Sequence, residues 1–402
     1  MSFSFLFVNL SGQFYFVEAG LAFGLLMTIS RLPFRPRLGW GLAATLSIWA
    51  LGSILSDLAV SNDLLNVSKG LLRILFLAVD IWALYYLCDC DLRAIRIVWV
   101  GLAISGVLSF WLQPNAYARD SPWKFAFAIP VSIVVVLWLS RRDRSRRFSS
   151  SVLLSLAAVH FLLGFRSLSI VILVAALLLL VRAGQVHSRK GKSILVRIRP
   201  IILAMIGVIA LVALSTAYDS LAESGTFGYE AQQKAAYQAT GQFGSLFSSR
   251  SEFLLSFLTI ASNPVLGGGT ESVASLQDAQ SAGAVLNDLG YANVARALNG
   301  GSPAYHSEIL GSWAQNGILA MPFWLTVLCL LVLAAYAVVY RETRLPELVA
   351  FLAVLGAWDL LFSPFGADRR MWVAATVVTI VACSTRSQRR VNGQDINRDD
   401  QL

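Results

Sequence analysis

Charge is what this sequence has least of. Only 14% of its 402 residues are Asp, Glu, Lys or Arg, against roughly 25% in a soluble domain. Cysteine is also scarce. Cys88, Cys90, Cys329 and Cys383 all lie outside the polar stretch 218–305, so no disulfide staples that stretch. The first segment lacks a basic start and a small-residue cleavage site, and no cleavable signal peptide is expected. No G-x-x-x-x-G-K-[ST] loop, G-x-S-x-G elbow, zinc-type ligand cluster or internal repeat is present. These absences argue against P-loop, serine-hydrolase and zinc chemistry, and no cofactor or metal is expected.

What is present is apolar. Hydrophobic residues make up 56% of the chain and the mean hydropathy is +0.66. A hydrocarbon core about 30 Å thick needs about 20 helical residues to cross it. Candidate spans fall at 14–30, 38–56, 70–87, 94–112, 124–140, 148–164, 167–181, 200–217, 308–340, 346–363 and 371–385. Residues 1–13 are apolar enough to hide one more. The expected fold class is all-α: a polytopic helical membrane protein of about 11–12 transmembrane helices with one large helical loop. Its parts are helices 1–8 over 1–217, the loop over 218–305, helices 9–11 over 306–385 and a tail over 386–402.

The cations set the orientation. Connections at 31–37, 88–96, 141–147, 182–199 and 341–344, with the tail, fall on one side and carry 22 of the 32 Lys and Arg. By the positive-inside rule that side, and the C-terminus with it, is cytoplasmic. The +9 net charge is therefore read as membrane anchoring, with no nucleic-acid partner. The loop 218–305 falls outside. It has seven acids and three bases, a net −4.

Long loops in compact proteins are usually functional or disordered. Ser249-Arg250-Ser251-Glu252 reads as a capping box opening a helix that stops at Asn263-Pro264. That helix is too short to span, so it lies in the interface or caps the bundle. A second helical stretch runs over 282–300. The triple glycine Gly267, Gly268, Gly269 permits close backbone approach to a ligand. Ser302-Pro303 reads as the cap and first-turn proline of the ninth span, which places His306 in its first turn. The positive end of a helix disfavours imidazolium, so a histidine there is suited to act as a general base, and the same end holds phosphates. Arg250 opens the loop helix against its dipole, and Arg166 stands in a tight outer turn. Two guanidinium groups and an imidazole on one face suit a pyrophosphate leaving group and an incoming hydroxyl.

Other charged positions are read more plainly. His160 is mid-span and His187 sits in a basic loop. Glu18, Arg73, Asp80, Arg96 and Asp359 are intramembrane charges expected to pair structurally. Asp89-Cys90-Asp91 matches an Asp-x-Asp metal pattern without a nucleotide-binding domain around it. Asp57 and Asp63 in the first outer loop are the runner-up base. A transporter using Arg73, Asp80 and Asp359 would need two repeat halves with broken helices. A non-catalytic assembly partner would tolerate loss of His306.

The sequence of motifs resembles the O-antigen ligase and polymerase superfamily of bacterial surface-glycan assembly. Phe165-Arg166-Ser167, Arg250, Asn263-Pro264-Val265-Leu266-Gly267-Gly268-Gly269, Tyr305-His306-Ser307 and Gln315-Asn316-Gly317 carry the likeness. The resemblance implies a GT-C-like membrane glycosyltransferase of the bacterial inner membrane with a periplasmic loop. It implies metal-independent, inverting transfer of an undecaprenyl-pyrophosphate-linked oligosaccharide to an acceptor glycan. Arg166 and Arg250 would clamp the pyrophosphate and His306 would activate the acceptor. Gly267, Gly269, Tyr305 and Ser307 would line the substrate. Membrane lipid, a chain-length regulator and a flippase are the implied partners. A polymerase is favoured over a ligase that uses lipid A core.

Overall fold

A computed structural model describes residues 6–9, 13–28, 36–88, 90–113, 116–141, 145–187, 216–217, 220–226, 228–229, 232–233, 251–272, 274–291, 305–341 and 343–384. Almost all of the described chain is helical. The exception is a hairpin of β1 (Phe7–Asn9) and β2 (Gln13–Tyr15), which pair antiparallel with Phe7 opposite Tyr15. A further span in the apolar start is thereby corrected. The run is interrupted by Asn9, Ser11, Gly12 and Gln13, which favour a turn over helix continuation.

Among the described residues, seven helices and a small connector up to His187 precede the large loop. These are α1 (Phe16–Thr28), α2 (Pro36–Ala59), α3 (Leu64–Cys88), α4 (Leu92–Leu112), α5 (Ala116–Asp120), α6 (Ala128–Leu139), α7 (Arg146–Leu162) and α8 (Arg166–His187). A π-helical turn, Trp123–Phe127, leads into α6. From the loop come α9 (Ser251–Ser262) and α10 (Leu276–Asp288). They are followed by α11 (Glu308–Asn316), a 3₁₀ turn (Ile318–Ala320), α12 (Met321–Tyr340), α13 (Pro346–Phe362) and α14 (Ala367–Ser384). Among the described residues, Gly39–Ala59, Leu64–Cys88, Leu92–Leu112 and Ile318–Tyr340 are long and apolar enough to cross a membrane. The expected span 200–217 lies outside the described residues except for 216–217.

Three expected boundaries move. The ninth span is not one helix from 308 to 340, because Gly317 divides α11 from the spanning part. Its backbone (φ 70°, ψ −170°) is accessible to glycine and strained for other residues. The helix placed at 282–300 instead starts at Leu276. Ser275 caps it by accepting the Asp278 amide at 3.0 Å and donating to the Asp278 carboxylate at 2.7 Å. It ends at Asp288, where Gly290 (φ 87°) turns the chain and the Tyr291 amide closes on Leu286 O at 2.8 Å. The Asp-x-Asp pattern proves to be a helix start: Asp91 accepts the amides of Arg93 and Ala94 and caps α4, while Asp89 lies outside the described residues.

Polar groups inside the bundle are mostly matched. Arg370 holds Glu18 with two hydrogen bonds, at 2.7 and 3.0 Å, tying α14 to α1, and both are buried. His160 accepts the Trp123 indole N–H on Nδ1 at 3.1 Å. Its proton is therefore on Nε2, which faces Ser132 Oγ at 2.9 Å. That wedge joins α7 to α6 and gives His160 the structural role its mid-span position suggested. Arg96 donates to Ser140 O at the end of α6, and Arg182 donates to Val338 O and Arg341 O at the end of α12. These two arginines mark the arginine-rich end of the bundle.

Replacing Arg370 by Met leaves Glu18 buried without its counter-ion. The expected loss is about 3–5 kcal/mol, read as reduced thermal stability of the purified protein, while Glu18→Gln with Arg370→Met recovers most of it. Equal stability of the single variant and the parent would show that the pair does not hold α1 to α14.

Candidate active site at the capped end of the bundle

At the end opposite the arginine-rich one, two separated glycine motifs lie backbone to backbone. The Gly268 amide donates to Ala314 O at 2.8 Å, Gly269 to Gln315 O at 2.9 Å, and Ile318 to Val265 O at 3.1 Å. A Cβ on Gly317 would stand 2.0 Å from Val265 O, and one on Gly267 would stand 2.6 Å from the Gly317 nitrogen. Trp313 Nε1 adds a 2.7 Å bond to Pro264 O. The close approach that Gly267 permits is thus made by the end of this chain's own α11, while a Cβ on Gly269 would stand 2.7 Å from Val60 and 3.0 Å from Asn62. Their amides already have acceptors, Asn263 O for Gly267, and Gln315 O and Ser56 Oγ for Gly269.

The turn between α2 and α3 clamps this seam. Asp57 is buried and accepts the Thr270 amide at 2.6 Å, the Thr270 hydroxyl at 2.9 Å and the Asn62 amide group at 2.9 Å. Ser56 donates to Gln315 O at 2.7 Å. Trp49 Nε1 donates to Asn316 Oδ1 at 2.9 Å, and Arg73 reaches both Gln315 Oε1 (3.1 Å) and Glu271 (2.6 Å). Asp57 is therefore a fully engaged structural carboxylate, unsuited to the runner-up role of base. Asp63 is exposed and accepts the Asn66 amide in the first turn of α3. Of the charges a transport path would use, Arg73 is bound to Glu271 and Asp359 to Arg369 at 2.8 Å. Asp80 is buried and neither of its oxygens has a hydrogen-bond partner.

His306 sits on the seam's far flank. It precedes α11 and is exposed, between buried Tyr305 and buried Ser307. The expectation that it occupies the first turn is corrected: α11 begins at Glu308, and His306 precedes its cap. Ser307 is the cap, accepting the Leu310 amide at 3.1 Å, and its hydroxyl donates to Leu360 O of α13 at 2.9 Å. Ser302 and Pro303 lie outside the described residues. An extended backbone at Ser307 alternates the side chains, so burying Tyr305 and Ser307 turns His306 outward. The Tyr305 phenol faces Thr259 and Ser272, and burial pushes its pKa up.

Arg166 opens α8 at the same end. Arg182 fixes the other end of α8 against the close of α12, where the chain turns into α13. The stretches Arg166 to Arg182 and Pro346 to Phe362 each climb about 24 Å at 1.5 Å per residue. They pack side by side, and Leu360 of α13 is the residue whose carbonyl accepts the Ser307 hydroxyl. Arg250 lies outside the described residues. The helix it precedes starts beside α13, with the Phe253 and Phe362 rings 6.3 Å apart. That helix caps the bundle, as its length suggested, burying Leu255, Ser256 and Ile260.

Glu308 and Arg369 escaped the sequence reading. Glu308 occupies the first turn of α11, is 1% exposed, and its Oε1 has no hydrogen-bond partner. Burial, then the negative charge of Asp359, raises its pKa well above 4.5. Ser363 and Arg369 both bond to Asp359. An acid directly after a capping serine reads as helix punctuation, and nothing local marks it as buried. His306 is exposed just before α11, Arg166 opens α8, and Glu308 is a buried acid in the first turn of α11. Among the described residues no cluster of His, Cys, Asp and Glu is suited to a metal. Compared with known proteins, the chain matches no family model, no curated protein and no solved structure.

Gly317→Ala is expected to abolish folding of the seam, seen as loss of monodisperse protein. Gly20→Ala has open space around it and should be silent; equal yield of the two would refute the close packing. For Glu308 the sign of the pH effect follows from its raised pKa. Between pH 4.5 and that raised value the folded chain holds a proton that the unfolded chain has released, so stability falls as pH rises. Glu308→Gln should melt higher than the parent at neutral pH, the two converging in acid. A variant no more stable at neutral pH would contradict the burial of an unpartnered carboxyl.

Proposed function

We propose that this chain is a bacterial surface-polysaccharide polymerase of the inner membrane, a multi-pass GT-C-like glycosyltransferase of about eleven spans. Its loop 218–305 would be periplasmic and its C-terminus cytoplasmic. The observation that carries the reading is His306: an exposed residue between two buried neighbours, next to a cap that bonds to α13, the helix against which α8 and the helix after Arg250 both pack. Its motifs also resemble the ligase and polymerase superfamily.

In this reading an undecaprenyl-pyrophosphate-linked glycan enters sideways from the lipid. Arg166 and Arg250 hold the pyrophosphate oxygens by charge-assisted hydrogen bonds. His306 takes the proton of an acceptor sugar hydroxyl. The acceptor oxygen bonds to the anomeric carbon with inversion, the carbon–oxygen bond to pyrophosphate breaks, and the pyrophosphate leaves with the electron pair. Pyrophosphate is a stable leaving group, so cationic neutralisation substitutes for a metal. The reaction uses no cofactor.

His306→Ala, Arg166→Ala and Arg250→Ala, each at matched expression, should reduce long-chain surface glycan at least 100-fold, the lower range of a positioned acid–base group. Unchanged chain length in all three would end the assignment. The glycan of a deletion strain separates the two activities of the family. Single repeat units on carrier or core indicate a polymerase, and full-length polymer stranded on its carrier indicates a ligase.

A further inference from the structure

Within α3 a carboxyl group is buried with nothing to hold it. Asp80 is 0% exposed, and neither Oδ1 nor Oδ2 has a hydrogen-bond partner. It stands about 12 Å from the Cys88 end of a helix long enough to cross a membrane. An ionised carboxylate in such a place is costly, and an ionisable group inside a membrane bundle commonly marks a site of function. A guanidinium lies one turn away and is already taken. Arg370 Cζ sits 5.4 Å from the centre of the Phe76 ring, and Phe76 precedes Asp80 by one turn on the same face of α3. Arg370 nonetheless gives Nε and Nη2 to Glu18, at 2.7 and 3.0 Å, and Nη2 to Gln13 O at 3.0 Å. Glu18 also accepts the Tyr15 amide at 3.1 Å. One arginine thus ties β2 and the start of α1 to α14, and the Phe14 ring of β2 packs on Phe76 at 5.1 Å.

We propose that Asp80 is a proton-binding site: it carries its proton while Arg370 is held by Glu18, and loss of that proton draws Arg370 off Glu18 and onto Asp80. Two buried acids face one buried cation, so one negative charge is left to be cancelled. The helices packed against α3 are α1, α2, α4 and α14. The charges that act on Asp80 are Glu18 of α1 and Arg370 of α14. The other described charges are engaged elsewhere: Asp57 of α2 with Thr270, Arg96 of α4 with Ser140 O, Arg369 of α14 with Asp359 and Arg73 of α3 with Glu271. Arg93 of α4 is exposed, and Asp368 sits at the start of α14, before Arg370. A metal cation would need several oxygen ligands, and among the described residues no cluster of His, Cys, Asp and Glu is suited to one. A proton needs a single oxygen. On release it passes to water, the carboxylate keeps the electron pair, and the freed negative charge competes with Glu18 for the guanidinium. That exchange unties β2 and the start of α1 from α14. The inference is independent of the glycosyltransferase reading.

The test uses the full-length protein in lipid nanodiscs, followed by infrared spectroscopy and by hydrogen exchange. At neutral pH the parent should show the C=O band of a protonated aspartic acid, absent in Asp80→Asn. Carbon-13 labelling of the parent's aspartate carboxyls separates that band from Glu308 without any substitution. Glu18→Gln leaves Asp80 as the buried acid that Arg370 can hold, so in that variant the band should vanish at neutral pH. At alkaline pH the parent should lose the band. Its Tyr15 amide should then exchange roughly tenfold faster than in Asp80→Asn, the effect of one lost hydrogen bond to a charged group. The proposal is overturned by a parent with no aspartic-acid band at neutral pH, or by a band that survives in Glu18→Gln. Equal exchange of the Tyr15 amide in the parent and Asp80→Asn at alkaline pH would overturn it as well.

Discussion

The carboxylate of Asp57 is the point on which the working end of this molecule depends. Three donors converge on it from two directions, and two of them belong to Thr270, the residue that closes the triple-glycine turn. Hydrogen bonds to a charged group contribute roughly 1.5–3 kcal/mol each, and a buried carboxylate without them is costly. With that grip in place, the turn at 263–272 lies flat on α11, α11 breaks at Gly317, and the start of α11 is presented beside α13. His306 is exposed between two buried neighbours, Tyr305 and Ser307.

Much of the architecture was legible in composition and spacing. The helical class, the short loop helix ending at Asn263-Pro264 and the structural role of His160 all follow from apolar periodicity and punctuation residues. Boundaries set by tertiary contacts were not legible. The run from 308 to 340 is apolar throughout, and hydropathy alone does not reveal that Gly317 adopts a conformation glycine tolerates. The N-terminal apolar residues became strands because a turn interrupts them before a helix could form.

The site was legible in its residue types more than in its contacts. Gly267 and Gly269 stood out for freedom of backbone approach, and the groups that approach them belong to the same chain, Gln315 and Gly317 at Gly267 and Val60 and Asn62 at Gly269. Ser307 stood out as a neighbour of His306 and proves to be its helix cap. Glu308 carried no local signal, since its burial comes from α13 and α14, which follow it in sequence. Paired charges such as Arg73 with Glu271 span 198 residues of sequence, a distance at which pattern reading has no purchase.

That separation has a consequence for biogenesis. Asp57 and Thr270 are 213 residues apart. At 5–20 residues per second, roughly 10 to 40 seconds of translation separate them. For that interval the early helices carry an unmatched carboxylate, Asp57, and an unmatched guanidinium, Arg73. Completion of the bundle is thus signalled by the arrival of a glycine turn synthesised late, and a ribosome that stalls before it leaves a nascent chain whose N-terminal half is marked as unfinished.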